Sequence, residues 1–183
     1  TALGLGRPID QFIYDETDKM KYYYGNSPSY CMLAYGNEPS GKQVEYLTAF
    51  NNYWKEKDNR RLYCGASVGG SWPIIPNNEY MVRGGARDIN WKKTAPQTVA
   101  DFSEEITPFK VPFVAHEMGQ YCVFPDFDEI KKYTGVYKAL NFEMFQEDLK
   151  DHHMSDQAQD FLMASGKLQV LCYKYTMEKA LRT

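Results

Sequence analysis

The chain has 183 residues, of which 43% are hydrophobic and 25% charged, and its formal net charge is −3 at pH 7. This composition is typical of a folded globular protein and excludes disordered, collagen-like and coiled-coil chains. No apolar run reaches the roughly 18 to 20 residues that span a bilayer, and Lys and Arg form no basic cluster, so we expect neither membrane insertion nor nucleic-acid binding.

The first two thirds of the chain alternate between short apolar runs and stretches of helical spacing. The apolar runs, bounded by Gly, Pro, Asn or Asp, predict strands at residues 30–35, 61–66, 79–82 and 111–116. The helical spacing predicts helices at residues 9–24, 42–57 and 99–106. Nearly continuous apolar strands that alternate with helices indicate a parallel sheet buried on both faces.

The last third is predicted to be helical. Asp126 with Glu129 has the spacing of a capping box, apolar residues mark a second helix near Phe142, and a third helix is expected at residues 155–181. No linker interrupts the chain, so we predict one domain over residues 1–183. A complete (β/α)8 barrel takes about 250 residues, which leaves a smaller open α/β sheet or an incomplete barrel.

The first candidate for chemistry is the polar loop that follows the predicted strand 30–35. Asn37 and Glu38 would lie at the carboxyl end of a parallel strand, which is the edge where such folds handle ligands. A carboxylate beside an amide can exchange protons and bind a sugar hydroxyl. The alternative is that both residues only cap the turn.

A second strand end carries His116 and Glu117. Together with Glu38 this gives two carboxylates at one edge, the requirement of retaining glycoside hydrolysis when they are about 5 to 5.5 Å apart. His116 and Glu117 also begin a zinc-binding pattern, but Gln120 replaces its second histidine and the segment is a predicted strand. We therefore predict no metal.

Two further signals are weaker. Residues 65–69 match the G-x-S-x-G elbow of serine hydrolases, with Ser67 as nucleophile and His116 downstream, but Pro73 follows too closely for the helix that an elbow needs. Trp72 could stack on a sugar or pack on the rim of the core. Four widely spaced cysteines in apolar runs are predicted to be buried thiols.

The residues at the two strand ends, Gly36-Asn37-Glu38 and residues 116–120 (HEMGQ), resemble the catalytic barrel of glycoside hydrolase family 2, of clan A. Residues 35–41 (YGNEPSG) and 161–169 (FLMASGKLQ) are similar to segments of its polysaccharide-degrading members in gut Bacteroidetes. The resemblance implies parallel βα repeats of a TIM (β/α)8 barrel, incomplete and covering about strands 4 to 7 with their following helices.

The resemblance also implies a role for each site residue. Glu38 would be the acid/base, Glu117 the nucleophile, and Asn37 a ligand of the sugar 2-hydroxyl; His116, Tyr80 and Trp72 would line the substrate site. The implied activity is retaining hydrolysis of oligo- or polysaccharides, β-galactosidase- or β-glucuronidase-like, without metal or organic cofactor. A truncated chain could be inactive.

Two other functions stay open at the level of sequence: a non-catalytic carbohydrate-binding or scaffold domain, and a serine esterase built on Ser67. The expected partners are a carbohydrate and, through open barrel edges, a second copy of the chain. The resemblance alone implies a periplasmic or secreted enzyme.

Overall fold

The computed structural model describes residues 1–68, 73–83, 101–118 and 121–183. Trp72 and the first two residues of the predicted helix at 99–106 lie outside the described residues. The strands are β1 Ala2–Leu3, β2 Met32–Ala34, β3 Ser40–Gly41, β4 Leu62–Cys64, β5 Ser67–Val68, β6 Met81–Arg83 and β7 Phe113–Ala115. The helices are α1 Pro8–Tyr24, α2 Gln43–Lys57, α3 Ser103–Ile106, α4 Leu140–Asp151 and α5 Ala158–Leu181, with 3-10 turns at Phe127–Lys132 and Ser155–Gln157.

The predicted fold class is wrong. Helices account for 51% of the described residues, and no TIM-barrel repeat is found among them. The strands have two or three residues each and form three small parallel sheets, ordered β1-β3, β2-β4 and β5-β6-β7. The apolar runs are longer than the strands because neighbouring turns take up their ends. At the start of the run 30–35, for example, the Tyr30 and Cys31 amides donate to turn carbonyls instead of a ladder.

Five of the strands, β2, β4, β5, β6 and β7, nevertheless run in one direction. β2 is parallel to β4, and β6 is parallel to both β5 and β7. The Glu79 amide donates to the Tyr63 carbonyl at 2.9 Å, and Ser67 pairs with Val82 further on, so β4 and β5 advance together alongside β6. The carboxyl ends of β2 and β7 therefore point to the same edge.

One face of β2 and β4 is covered by α1 and α2. Leu47, Phe50 and Trp54 occupy one side of α2 at helical spacing and are buried. They pack with Leu33 of β2 and Tyr63 of β4, and Tyr14 of α1 makes an edge contact with Phe50 at a centroid distance of 5.1 Å. This is the main core of the described structure.

The opposite face is not covered by the described residues. Met32 of β2 and Leu62 of β4, which pair with each other, are 38% and 41% exposed. The prediction of a sheet buried on both faces is therefore wrong here, because each helix that the structure places against β2 and β4 lies on the side of Leu33 and Tyr63.

The C-terminal helices form a second, thinner layer. Phe124 contacts Phe145 of α4 and Phe161 of α5, each at a centroid distance of 5.4 Å, and its amide donates to the Ser165 hydroxyl. The rest of the predicted apolar stripe on α5 stays open, and Leu168 is exposed. No described helix is both long and apolar enough to cross a membrane.

The cysteines differ from expectation in their burial. All four are free thiols, and Cys64 alone is fully buried, whereas Cys31 and Cys122 are exposed. Cys31 lies just before β2, where its amide donates to the Ser29 carbonyl and its carbonyl accepts from the Leu62 amide.

Candidate functional site

Asn37 and Glu38 lie in the loop between β2 and β3, and both are exposed. Glu38 has a φ of 44°, in the left-handed region that a non-glycine residue adopts at a cost of about 1 to 2 kcal/mol. The sequence predicts Glu38 at a strand end but does not predict its left-handed backbone.

The loop is anchored directly after Glu38. Pro39 is fully buried, and the next two residues pair with β1, with the Ser40 amide donating to the Thr1 carbonyl at 2.8 Å. Gly41 has a φ of 81°, and a Cβ there would lie 2.5 Å from the Leu3 carbonyl oxygen. Glycine is required at this close approach, so the loop carrying Glu38 has little freedom at its second half.

His116 and Glu117 follow β7. The His116 amide donates to the Arg83 carbonyl at 3.4 Å, which extends the β6-β7 ladder by one step. His116 is half-buried and Glu117 is exposed. Glu117 has a φ of 53°, so the second candidate carboxylate also lies in left-handed backbone.

Among the described residues, three non-glycine positions have positive φ: Glu38, Glu117 and His153. His153 has an ordinary structural cause, because it ends α4. Its amide donates to the Lys150 carbonyl and the Met154 amide to the Leu149 carbonyl, the pattern of a left-handed helix end. The two glutamates end no helix. Strained non-glycine backbone concentrates at functional sites, which singles out this pair.

The structure brings Glu38 and Glu117 to one edge, at its two ends. Two positions lie between β2 and β7: the first is occupied by β4 followed by β5, and the second by β6. Three strand spacings of about 4.8 Å therefore put β2 and β7 about 14 Å apart along a flat sheet. A retaining pair needs about 5 to 5.5 Å between carboxyl groups. The strand positions alone therefore separate the two glutamates by more than a retaining pair requires.

Tyr80 is not brought to this edge. It precedes β6 and is buried, and burial raises the pKa of its phenol, with the neighbouring thiols of Cys64 and Cys31 adding to the rise. Its neighbour Met81 donates to the carbonyl of Pro112, five residues before Glu117, which corresponds to about 16 Å along a strand. A direct hydrogen bond between the Tyr80 hydroxyl and the Glu117 carboxylate does not span that length.

The backbone at Ser67 lacks the geometry of a nucleophile elbow. Ser67 lies within β5 and pairs with Val82, whereas an elbow places its serine on a sharp strand-to-helix turn. Within residues 1–68, 73–83, 101–118 and 121–183, no three His, Cys, Asp or Glu side chains cluster closely enough to hold a metal ion.

Sequence reasoning missed Asp10, near the start of α1. Its carboxylate accepts hydrogen bonds from the amides of Gly4, Gly6 and Arg7 at 2.8, 2.8 and 3.2 Å. Burial opposes ionisation, but these hydrogen bonds together lower the pKa of Asp10. Two glycines shortly before an aspartate in the first turn of a helix are the sequence signal that could have indicated it.

No protein-family model matches the chain, and no curated protein has a significantly similar sequence.

Proposed function

We propose that the protein is a retaining glycoside hydrolase in which Glu117 is the nucleophile and Glu38 the acid/base. The observation that carries the proposal is the left-handed backbone of both glutamates at the carboxyl ends of parallel strands. Two strained, exposed carboxylates at one edge have no structural cause such as the one that applies to His153.

The proposed reaction has two steps. The Glu117 carboxylate attacks the anomeric carbon while the Glu38 carboxyl protonates the departing glycosidic oxygen, which leaves a glycosyl ester on Glu117. The Glu38 carboxylate then takes a proton from water as the water oxygen attacks the same carbon, and Glu117 is released. The first step moves the Glu38 proton to the leaving group and the second returns a proton to Glu38 from water, so the chemistry calls for no redox partner.

The substrate proposed is an oligo- or polysaccharide. Exposed Asn37 would bind the sugar 2-hydroxyl, a contact that strengthens in the transition state of such enzymes. His116, half-buried beside Glu117, and Trp72 are proposed to line the substrate site. For Tyr80 the burial described above favours a packing role.

The proposal is tested by hydrolysis of aryl β-galactosides and β-glucuronides. We expect Glu117→Gln and Glu38→Gln to lower kcat/KM by a factor on the order of 1,000, and a 2-deoxy-2-fluoro glycoside to label Glu117 covalently, as seen by peptide mass spectrometry. Glu147→Gln, an exposed carboxylate on α4, is the matched control and should retain full activity. Unchanged turnover in Glu117→Gln, or labelling at another residue, would refute the assignment.

The second candidate is a domain that binds carbohydrate without turnover. The span of about 14 Å between β2 and β7 favours it, because a flat sheet would keep the carboxylates too far apart for a shared anomeric carbon. Calorimetric binding of an oligosaccharide that the protein leaves intact would support this alternative, and product formation would reject it.

The proposal includes a second copy of the chain as a partner. Among the described strands, β2 pairs with β4 alone and β7 with β6 alone. Within the part of the chain that the structure describes, the outer side of each strand therefore has no strand partner, and open edges of this kind favour strand pairing between molecules.

A further inference from the structure

We propose that Asp10 is a positioning residue that holds Glu38 in place through the first strand of the chain. The inference rests on the proposed role of Glu38 as the acid/base. Asp10 would not touch the substrate; it would fix the backbone against which the Glu38 loop is built.

The first step is the folding of the N-terminal segment around the Asp10 carboxylate. Gly4 and Gly6 have φ values of 69° and 71°, so the chain turns sharply and aims its amides at one side chain. Both carboxylate oxygens are used, Oδ1 by Gly4 and Oδ2 by Gly6 and Arg7. Charge-assisted hydrogen bonds of this kind are about twice as strong as neutral ones.

In the second step, the N-terminal segment that Asp10 holds pairs with the loop that carries Glu38. Leu3, immediately before Gly4, is fully buried and belongs to β1. Its carbonyl accepts from the Lys42 amide at 2.8 Å, while Thr1 accepts from Ser40. The segment held by Asp10 is therefore the only partner, among the described strands, of the two residues that follow Pro39 and Glu38.

Asp10 also reaches the other side of the loop. Its backbone carbonyl accepts a hydrogen bond from the Tyr46 hydroxyl in α2. Burial raises the pKa of Tyr35, and the Asp10 charge raises it further. The hydrogen bond from Tyr46 ties the start of α1 to α2, the helix that follows the loop.

A purely structural role predicts a different outcome. If Asp10 only stabilised the start of α1, its loss would lower the folded fraction and reduce the turnover of every substrate equally. If it positions the acid/base, its loss should affect mainly substrates whose leaving group needs protonation.

The experiment therefore compares a phenyl glycoside with the 2,4-dinitrophenyl glycoside of the same sugar, whose leaving group needs no proton. For Asp10→Ala we expect kcat/KM to fall on the order of 100-fold for the phenyl substrate, as for a misplaced catalytic group, and to change little for the dinitrophenyl substrate. Asp15→Ala is the control, since Asp15 is an exposed carboxylate on α1 bonded to Gln11. Equal losses with both substrates would overturn the proposal.

A second measurement does not depend on activity. With glutamate labelled with 13C at the side-chain carboxyl, the Glu38 signal is assigned by its disappearance in Glu38→Gln. We expect Asp10→Ala to shift or broaden this signal and to change its titration, and Asp15→Ala to leave it unchanged. A Glu38 signal indifferent to Asp10 would refute the positioning role.

The two readouts separate the two hypotheses. A wild-type protein without glycosidase activity would count against the proposed function, while the 13C titration would still decide whether Asp10 holds Glu38. If Asp10→Ala fails to fold, Asp10→Asn replaces it, because Asn keeps the shape and one acceptor oxygen but meets Gly6 and Arg7 with an amide group. For Asp10→Asn we then expect the Glu38 13C signal to change in the same direction as for Asp10→Ala.

Discussion

At the scale of single residues, the informative feature is the backbone conformation of Glu38. A side chain in the left-handed region costs about 1 to 2 kcal/mol, and glycine adopts the same region without that cost. The fold therefore gives up stability to keep a carboxylate at this position, as strained functional residues do.

The first residue-scale prediction concerns this cost. We expect Glu38→Gly to raise the free energy of unfolding by about 1 kcal/mol while abolishing catalysis. Glu147→Gly, in the middle of α4, should instead lower it by about 1 kcal/mol because glycine is unfavourable inside a helix. Urea denaturation of both variants measures the difference, and a Glu38→Gly variant as destabilised as Glu147→Gly would show that the conformation stores no strain.

At the scale of elements, a buried charge network joins α1, the end of α2 and β4. Asp58 follows α2 and its side chain is 8% exposed; it pairs with Lys21 of α1 at 3.4 Å, with Arg60 at 2.7 Å and with Arg61. The Arg61 side chain is itself 4% exposed and donates to the Gly25 carbonyl at the end of α1. The network lies at the amino end of β4, away from the two glutamates.

Removing the Asp58 charge tests how much this network contributes to the free energy of unfolding. Asp58→Asn leaves the buried cations Lys21 and Arg61 without their counter-ion, which costs about 3 kcal/mol in buried pairs. Asp128→Asn is the matched control, because Asp128 and its partner Lys131 are both highly exposed and such pairs are worth less than about 1 kcal/mol. Equal urea midpoints for the two variants would contradict the prediction.

The same network sets a dependence on pH. The Arg60 guanidinium, with Lys21 and Arg61, holds the pKa of Asp58 well below its ordinary value near 4, although burial opposes this. Because the folded-state pKa is the lower one, the stabilisation is complete above about pH 4 and is lost as the pH falls further. We expect the wild-type stability to fall below pH 4 and Asp58→Asn to show a smaller fall; parallel curves would contradict this.

At the scale of the whole molecule, the described residues leave large apolar surfaces exposed. Val114, on the edge strand β7, is 41% exposed, and Val170 of α5 is 66% exposed. Exposed apolar patches mark interaction surfaces or sites of aggregation. The edge strands and α5 are separate candidates for association between copies.

Sedimentation velocity distinguishes association through the edge strands from association through α5. We expect Val114→Lys to reduce self-association several-fold, because a lysine on an edge strand prevents pairing with another sheet edge. Val170→Lys removes a similar apolar side chain far along the sequence and should have little effect. A reduction in Val170→Lys alone would assign the association to α5, and a wild-type monomer at all concentrations would exclude the open-edge proposal.

The sequence alone located most of the longer elements. Helical spacing predicted a helix at 9–24 and one at 42–57, which are observed as Pro8–Tyr24 and Gln43–Lys57, because an amphipathic pattern records which side of a helix faces the core. Apolar runs between turn residues also placed a strand before Glu38 and another before Glu117. These are local properties, and local residue patterns are enough to indicate them.

Only the tertiary structure decided the rest. Strand length, the number of sheets and the open face around Met32 and Leu62 depend on which segments meet, and residues far apart in sequence determine that. The same applies to Asp10, whose amide partners are local but whose effect on Glu38 passes through the pairing of β1 with β3. The left-handed backbone of Glu38 and Glu117 is likewise imposed by their surroundings, since neither residue type favours it.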